Sequence, residues 1–291
     1  MPGFSSVLFP TDFSEQSKAF RPFVQLVARQ FKARLTVLHV VPMPKADYGG
    51  LASTFPSMTD FSVAEERLGG LLEDFFSDKD AEGSTGVDRE VLLGDPAVMI
   101  ADYARSHQAG LIMMATHGHG RFRSLLMGSV ASKVLHDAEC PVWTAAHAED
   151  PAILSHLGIK NILAAVDLAP DQIDVVKQTS ELARAFGASA RLLHAVPAAE
   201  RVPGDTGGNE FSDFLLRTAR EKIDGVQREA GSDFEVLVRS GGVAQAIREA
   251  AIATQADLVV LGRGVRHEAF GRLLSKSYEI IRQSPCPVLS L

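Results

Sequence analysis

Residues Leu111–Ser129 read LIMMATHGHGRFRSLLMGS and pass from an apolar segment through a glycine-spaced loop into a helix. Leu111–Met114 is apolar at every position, the pattern of a strand buried on both faces in a parallel sheet. From Val130 the chain continues VASKVLHDAE, with Val130, Val134 and Leu135 on one helical face. Pro141 then ends the helix and opens the next strand. The loop therefore joins the carboxyl end of a strand to a helix amino terminus. In an open parallel sheet ligands bind at that end, where unpaired N–H groups and the helix dipole favour an anion. Gly118 and Gly120 let the backbone approach closely, Gly128 does so again at the helix start, and Ser129 adds a hydroxyl to the first turn. A phosphate suits such a loop, and a plain tight turn is the other reading of the same residues. No Gly-Lys-Ser/Thr closes it, so it is not a P-loop.

Working outward, the chain repeats itself. Val7-Leu-Phe-Pro-Thr-Asp12 is echoed by Ile162-Leu-Ala-Ala-Val-Asp167, and Leu38-His-Val-Val-Pro42 by Leu193-His-Ala-Val-Pro197, each pair displaced by 155 residues. Val91–Ile100 matches Val238–Ile247 and Leu111–Met114 matches Leu258–Leu261 at a displacement of 147, and Cys140-Pro-Val matches Cys286-Pro-Val at 146. The order of elements is unchanged, and the small drifts are differences in loop length. Each half alternates strand and helix, which makes a parallel sheet covered by helices with right-handed crossovers. Strands are expected near Ser6–Pro10, Leu35–Val41, Asp88–Leu92, Leu111–Met114 and Val142–Ala145. In the second half they are expected near Ile162–Val166, Ala190–Val196, Glu235–Arg239, Leu258–Leu261 and Val288–Leu291. The domains are read as residues 1–146 and 159–291, joined by a short linker across Ala146–Ile159. Met43–Thr59 reads either as a lid over the ligand crevice or as a surface loop. A helix is expected to begin after it at the capping-box pattern Ser62-Val-Ala-Glu65.

At 291 residues the chain holds two domains of ordinary size. With 46% hydrophobic and 22% charged residues it is neither disordered nor membrane-like. No apolar run approaches the ~18 residues of a membrane span, and MPGFSSVLF has neither the basic segment nor the apolar core of a signal peptide. The expected compartment is the cytoplasm. The formal charge of −7 and the lack of any Lys/Arg concentration argue against a nucleic-acid surface. Cys140 and Cys286 read as small buried residues in a reducing compartment.

Gly118, nine residues, then Gly128-Ser129 and VASKVLHDAECPV resembles the ATP-binding loop of the universal stress protein family, whose pattern is Gly-x-x-Gly, nine residues, then Gly-Ser or Gly-Thr. Ala115 stands where that family has its first glycine, so a methyl group is added beside the ribose and phosphates. FPTDFSE around Asp12 also matches the family. The resemblance implies an α/β fold of two tandem open parallel five-stranded sheets, order 3-2-1-4-5, with helices on both faces, packed as an internal pseudo-dimer. It implies that Asp12 accepts hydrogen bonds from ribose hydroxyls and that the Val40 backbone meets the adenine edge. It implies further nucleotide contacts from Ala115, Gly118, Gly128, Ser129 and Val130. Helix capping is the other role open to Asp12.

Arg121 and Arg123 lie inside the loop, where they either meet the terminal phosphates or stand in solvent. His117 and His119 are close enough for one metal, but no cysteine or third histidine neighbours them, and zinc is not the reading adopted. Magnesium enters only with the nucleotide, bound mainly by phosphate oxygens and water. His39 and His194 sit at equivalent strand ends among apolar residues and read as structural. There is no Gly-x-Ser-x-Gly elbow, and no general base or arginine finger can be named, so any ATP hydrolysis is expected to be slow.

The second half reads GRGVRHEAFGRLLSKSYEII after its fourth strand. Gly262 and Gly264 remain, but Gly128 corresponds to Leu274 or Ser275, no Gly-Ser pair opens the helix, and Glu268 repels phosphate. Asp167 survives, while Ala195 and Val243 offer no phosphate contact. The expectation is an ATP-binding stress-response regulator with one adenine nucleotide in the first domain, an unknown protein partner and an internal pseudo-dimer, with a homodimer as a further level of assembly. The alternative is a nucleotide-free interaction scaffold.

Overall fold

Each repeat begins with an apolar strand whose residues are shielded on both faces. A computed structural model describes residues 4–43, 58–80, 82–116, 127–145, 158–169, 172–196, 208–263 and 272–291, with the backbone alone for 58–64, 208–212 and 272–276. In the first repeat the elements run β1 (Ser6–Pro10), α1 (Glu15–Phe31), β2 (Arg34–Pro42), α2 (Met58–Phe75), β3 (Gly86–Gly94), α3 (Pro96–Ser106), β4 (Leu111–Ala115), α4 (Ser129–Asp137) and β5 (Val142–Ala145). The second runs β6 (Asn161–Ala165), α5 (Gln172–Phe186), β7 (Ser189–Val196), α6 (Gly208–Ala230), β8 (Glu235–Ser240), α7 (Val243–Ala253), β9 (Leu258–Leu261), α8 (Arg272–Gln283) and β10 (Val288–Ser290). The compact units divide inside β5: residues 4–116 and 128–142 make one, and Trp143 onward belongs with the other.

In the first unit the parallel strands lie in the order β3-β2-β1-β4. The start of β5 follows on, since the Ile112 N–H donates to the Pro141 carbonyl at 2.9 Å. In the second unit the parallel order is β8-β7-β6-β9-β10. The duplication extends to the register: Val7 pairs with Leu111 in β1–β4, and their counterparts Ile162 and Leu258 pair in β6–β9. Both repeats therefore have the expected 3-2-1-4-5 order, and in both the order reverses between the first and fourth strands. The core follows the apolar runs, with Leu111, Ile112, Met113, Leu258, Val259 and Val260 fully buried. Each is shielded by helices on the sheet faces.

Local chemistry explains the helix ends. Ser14 caps α1, its Oγ accepting from the Ser17 N–H at 3.2 Å. Pro22, inside that helix, cannot donate to the Lys18 carbonyl, and the Arg21 Nε–H takes the place of the missing donor at 3.3 Å. Asp95 caps α3 by accepting from the Ala97 and Val98 N–H groups at 3.1 and 3.2 Å, with Pro96 at the first helical position.

Some expectations need correction. Helix α2 begins at Met58, so Ser62 lies inside the helix and is not its cap, and Met58 and Thr59 are helical and not part of a loop. Residues 44–57 of the proposed lid lie outside the described residues, as do linker residues 146–157. Helix α4 ends at Asp137, with Ala138 turning to extended backbone (φ −66°, ψ 137°), so the helix stops before Pro141 is reached. Cys140 is half-buried, whereas Cys286 is buried.

Candidate functional site

The carboxyl end of β1 turns sharply at Thr11-Asp12-Phe13-Ser14. The Thr11 N–H donates to the Leu38 carbonyl at 2.8 Å and so prolongs the β1–β2 ladder by one bond. Phe13 then takes φ 61°, a left-handed conformation that reverses the chain into α1. Two contacts hold the turn: Thr11 Oγ1 accepts from the Phe13 N–H at 3.0 Å, and the Phe13 ring lies 4.6 Å, centroid to centroid, from the His39 imidazole. His39 Nδ1 is 2.8 Å from the Thr11 carbonyl, which can only accept, so Nδ1 carries the proton. His194 makes the same bond to the Val166 carbonyl at 2.7 Å. The two histidines tie β2 to the end of β1, and β7 to the end of β6.

Asp12 is fixed by this turn. Its Oδ1 accepts from the Ser14 N–H at 3.0 Å and from the Ser17 hydroxyl at 2.8 Å. Ser14, not Asp12, is the helix cap, and Asp12 braces the first turn from outside. Val40 is buried on β2, 7% exposed. Ala115 is the last residue of β4 and is also buried, and Thr116 after it is 1% exposed. The Gly128 N–H returns to donate to the Thr116 carbonyl at 2.8 Å, closing the base of the glycine loop. Gly128 then caps α4 with φ −60° and ψ 144° and, being a glycine, brings no side-chain hydrogen bond to the helix amino terminus. Ser129 is exposed and Val130 half-buried in the first turn.

The structure thus gathers Asp12, Val40, Ala115, Gly128, Ser129 and Val130 at the carboxyl ends of β1, β2 and β4. Gly118, Arg121, Arg123 and both loop histidines, His117 and His119, lie outside the described residues. Among the described residues no group of three His, Cys, Asp or Glu is placed to hold a metal ion.

The second repeat keeps the frame and changes the contents. Leu168 takes φ 68° where Phe13 takes 61°, and Asp167 Oδ1 accepts from the Ala169 N–H at 3.0 Å as Asp12 does from Ser14. Leu274 and Ser275, the two alternatives for the counterpart of Gly128, both lie within α8, whereas Gly128 stands at the cap of α4. Gly264 and Glu268 lie outside the described residues. A cleft of about 130 Å³ remains, lined by Asp167, Gln172, His194, Ala195, Val243 and Gly262 among others. Gln172 occupies the position of Ser17 and is 2% exposed, with its Oε1 accepting from the Asp167 N–H at 3.4 Å. Neither Ser17 nor Gln172 stands out when the sequence is read alone. The signal available was the 155-residue displacement, which aligns them directly.

The sequence pattern of the Universal stress protein family matches residues 3–145 and, separately, residues 158–291. The chain belongs to the universal stress protein family. Its two matches make it a tandem universal stress protein. A universal stress protein of Thermus aquaticus is 35% identical over 143 residues, which are 48% of this chain and 96% of that protein. The crystal structure of a universal stress protein from Archaeoglobus fulgidus spans both repeats, covering 99% of this chain and 96% of its own with a TM-score of 0.66 at 22% identity, a likeness of fold. A solved universal stress protein in complex with cAMP covers 46% of this chain and 97% of its own at 23% identity and a TM-score of 0.34. Among the described residues of this universal stress protein, no helix is long and apolar enough to cross a membrane.

Proposed function

We propose that the first repeat binds one adenine nucleotide, ATP or a close relative, and that the protein serves as a nucleotide-responsive regulatory module in the stress response. The observation that carries this reading is the pairing of two features on adjacent strands. A carboxylate is held rigid at the end of β1, and a helix with glycine as its cap starts from the loop after β4. The sheet order reverses between these strands, the place where open α/β sheets take their ligands. Asp12 suits ribose hydroxyls as an acceptor, and the α4 amino terminus suits phosphate as a set of N–H donors in a favourable dipole. Gly118, Ser129 and Val130 complete the phosphate side on the family pattern, Arg121 adds a charge-assisted donor from the loop, and Val40 lines the base side. Magnesium enters with the phosphates. Hydrolysis is slow on this reading, and the second repeat, with Leu274 and Ser275 inside α8, carries no phosphate site.

The test is to denature the purified protein, quantify the adenine nucleotide released per chain, and titrate the stripped protein with ATP and magnesium. About one equivalent is expected if the first repeat alone binds the nucleotide. No released nucleotide and no binding on titration overturns the reading and turns the search to protein partners.

A further inference from the structure

Two positions change together between the repeats. The first repeat has Ser17 on α1 and Ala115 at the end of β4, and the second has Gln172 and Gly262 in their places. In the second repeat the reason is geometric. A Cβ on Gly262 would lie 2.9 Å from Gln172 Nε2 and 3.0 Å from Val175 Cγ2, so the glutamine amide fills the space into which a methyl at 262 would project. Residues 172 and 175 correspond to Ser17 and Phe20, and by that equivalence the Ala115 methyl is directed at α1, over the short Ser17 side chain. The alanine at the first glycine of the family loop thus goes with a short residue at the equivalent helix position, and the glycine at 262 with a long one.

Ser17 also does what Gln172 does not. It is 4% exposed, and its hydroxyl donates to Asp12 Oδ1 at 2.8 Å while lying 3.3 Å from the Ser14 hydroxyl. With the Ser14 N–H on the same oxygen, two donors from one helix turn set the torsion of the Asp12 carboxyl group. Gln172 instead presents its Oε1 to the backbone N–H of Asp167, and its amide stands beside Gly262, both lining the cleft.

We propose that Ser17 is a positioning residue for ribose recognition: its buried hydroxyl aims the Asp12 carboxylate, and the exchange of the Ser17/Ala115 pair for Gln172/Gly262 removes that aim in the second repeat. The inference rests on the nucleotide reading of the first repeat. Ser17 itself touches no ligand. Its loss costs the fraction of carboxylate torsions that no longer face the sugar, and only a ligand with ribose hydroxyls registers that loss.

The experiment is calorimetric titration of the full, nucleotide-stripped chain with ATP and with 2′,3′-dideoxy-ATP. The wild type is expected to prefer ATP by about tenfold, the scale of one hydrogen bond to a charged acceptor. In Ser17→Ala that preference collapses: ATP affinity falls about five- to tenfold and dideoxy-ATP affinity stays the same. Ser17→Thr, which keeps the hydroxyl, restores the preference. Ser17→Cys, of nearly the same volume with a weak donor, behaves as the alanine variant and serves if the latter does not fold. Equal weakening of both nucleotides, or an unchanged preference in the alanine and cysteine variants, overturns the proposal. A wild type that binds both nucleotides equally shows that Asp12 does not read the ribose and overturns it as well. A wild type that binds neither overturns the nucleotide reading itself.

Discussion

Gly262 and Gln172 occupy one space: the glycine lacks a side chain where the glutamine amide lies, with only 2.9 Å between Nε2 and the position a Cβ would take. At the equivalent positions the first repeat has Ala115 and the short Ser17. Gly262→Ala should therefore destabilise the protein by about 1–2 kcal/mol, because a buried amide and Val175 must both move. Gln172→Ser should also cost stability, through the void it leaves and the lost bond to the Asp167 N–H. The double variant reproduces the first repeat's pair and should recover about 1 kcal/mol relative to the sum of the single changes. Urea unfolding of the four proteins measures the cycle, and strictly additive costs would show that the two positions do not share a space.

Gly128 offers a cleaner substitution than most glycines. Its φ of −60° suits any residue, so Gly128→Val introduces bulk at the α4 cap without backbone strain. Melting temperature should change little, while the dissociation constant for ATP rises by at least about tenfold as the side chain enters the space assigned to phosphate. Unchanged ATP binding in the valine variant would move the phosphate away from this helix.

The carboxylates of the two repeats should behave differently. Asp12→Ala removes a side chain braced by Ser14 and Ser17, and the nucleotide released per chain should fall toward zero. Asp167→Ala, in a repeat whose equivalents of Gly128 and Ser129 are helical, should leave the released amount unchanged. Equal losses in both variants would mean that two sites share the nucleotide.

What was legible in the sequence follows from which forces act locally. Strands such as Leu111–Ala115 and Leu258–Leu261 could be read because each is an apolar run between polar turns, and the repeat could be read because Asp12 and His39 recur at one displacement. Strand ends were misjudged where pairing continues into polar residues. β2 starts at Arg34 and β3 reaches back to Gly86 because Arg34 and Asp88 pair across the strands, Nε to Oδ2 at 2.6 Å and Nη2 to Oδ1 at 2.9 Å. No apolar pattern reports that pair. The start of α2 at Met58 was hidden because Ser62-x-x-Glu65 imitates a cap, and a capping motif inside a helix looks the same in sequence as one at its end. Asp12, Gly128 and Ser129 were found as residue types that chemistry requires. Ser17 was missed because its role depends on an Oγ to Oδ1 distance that only the fold supplies.

Cys286 gives a prediction that needs no ligand. Burial raises its thiol from an ordinary value near 9 to about 12, against a smaller opposing effect of the Ser284 hydroxyl. The unfolded chain therefore releases this proton first as the pH rises past 9, and the folded chain holds it until about 12. Because the unfolded state then binds fewer protons than the native state, stability must fall with rising pH across that window. The slope assignable to one proton is about 1.4 kcal/mol per pH unit once the pH is well above the unfolded value. Urea unfolding at pH 8, 9 and 10 measures it, with Cys286→Ala as the reference lacking the titrating group. The wild type should lose stability faster than the variant above pH 9, and the two should run parallel below it. Native Cys286 should also resist iodoacetamide at pH 8, since the reactive thiolate is scarce and the side chain is buried. Parallel curves throughout, together with rapid alkylation of the native protein at this cysteine, would show the thiol to be exposed and its proton ordinary.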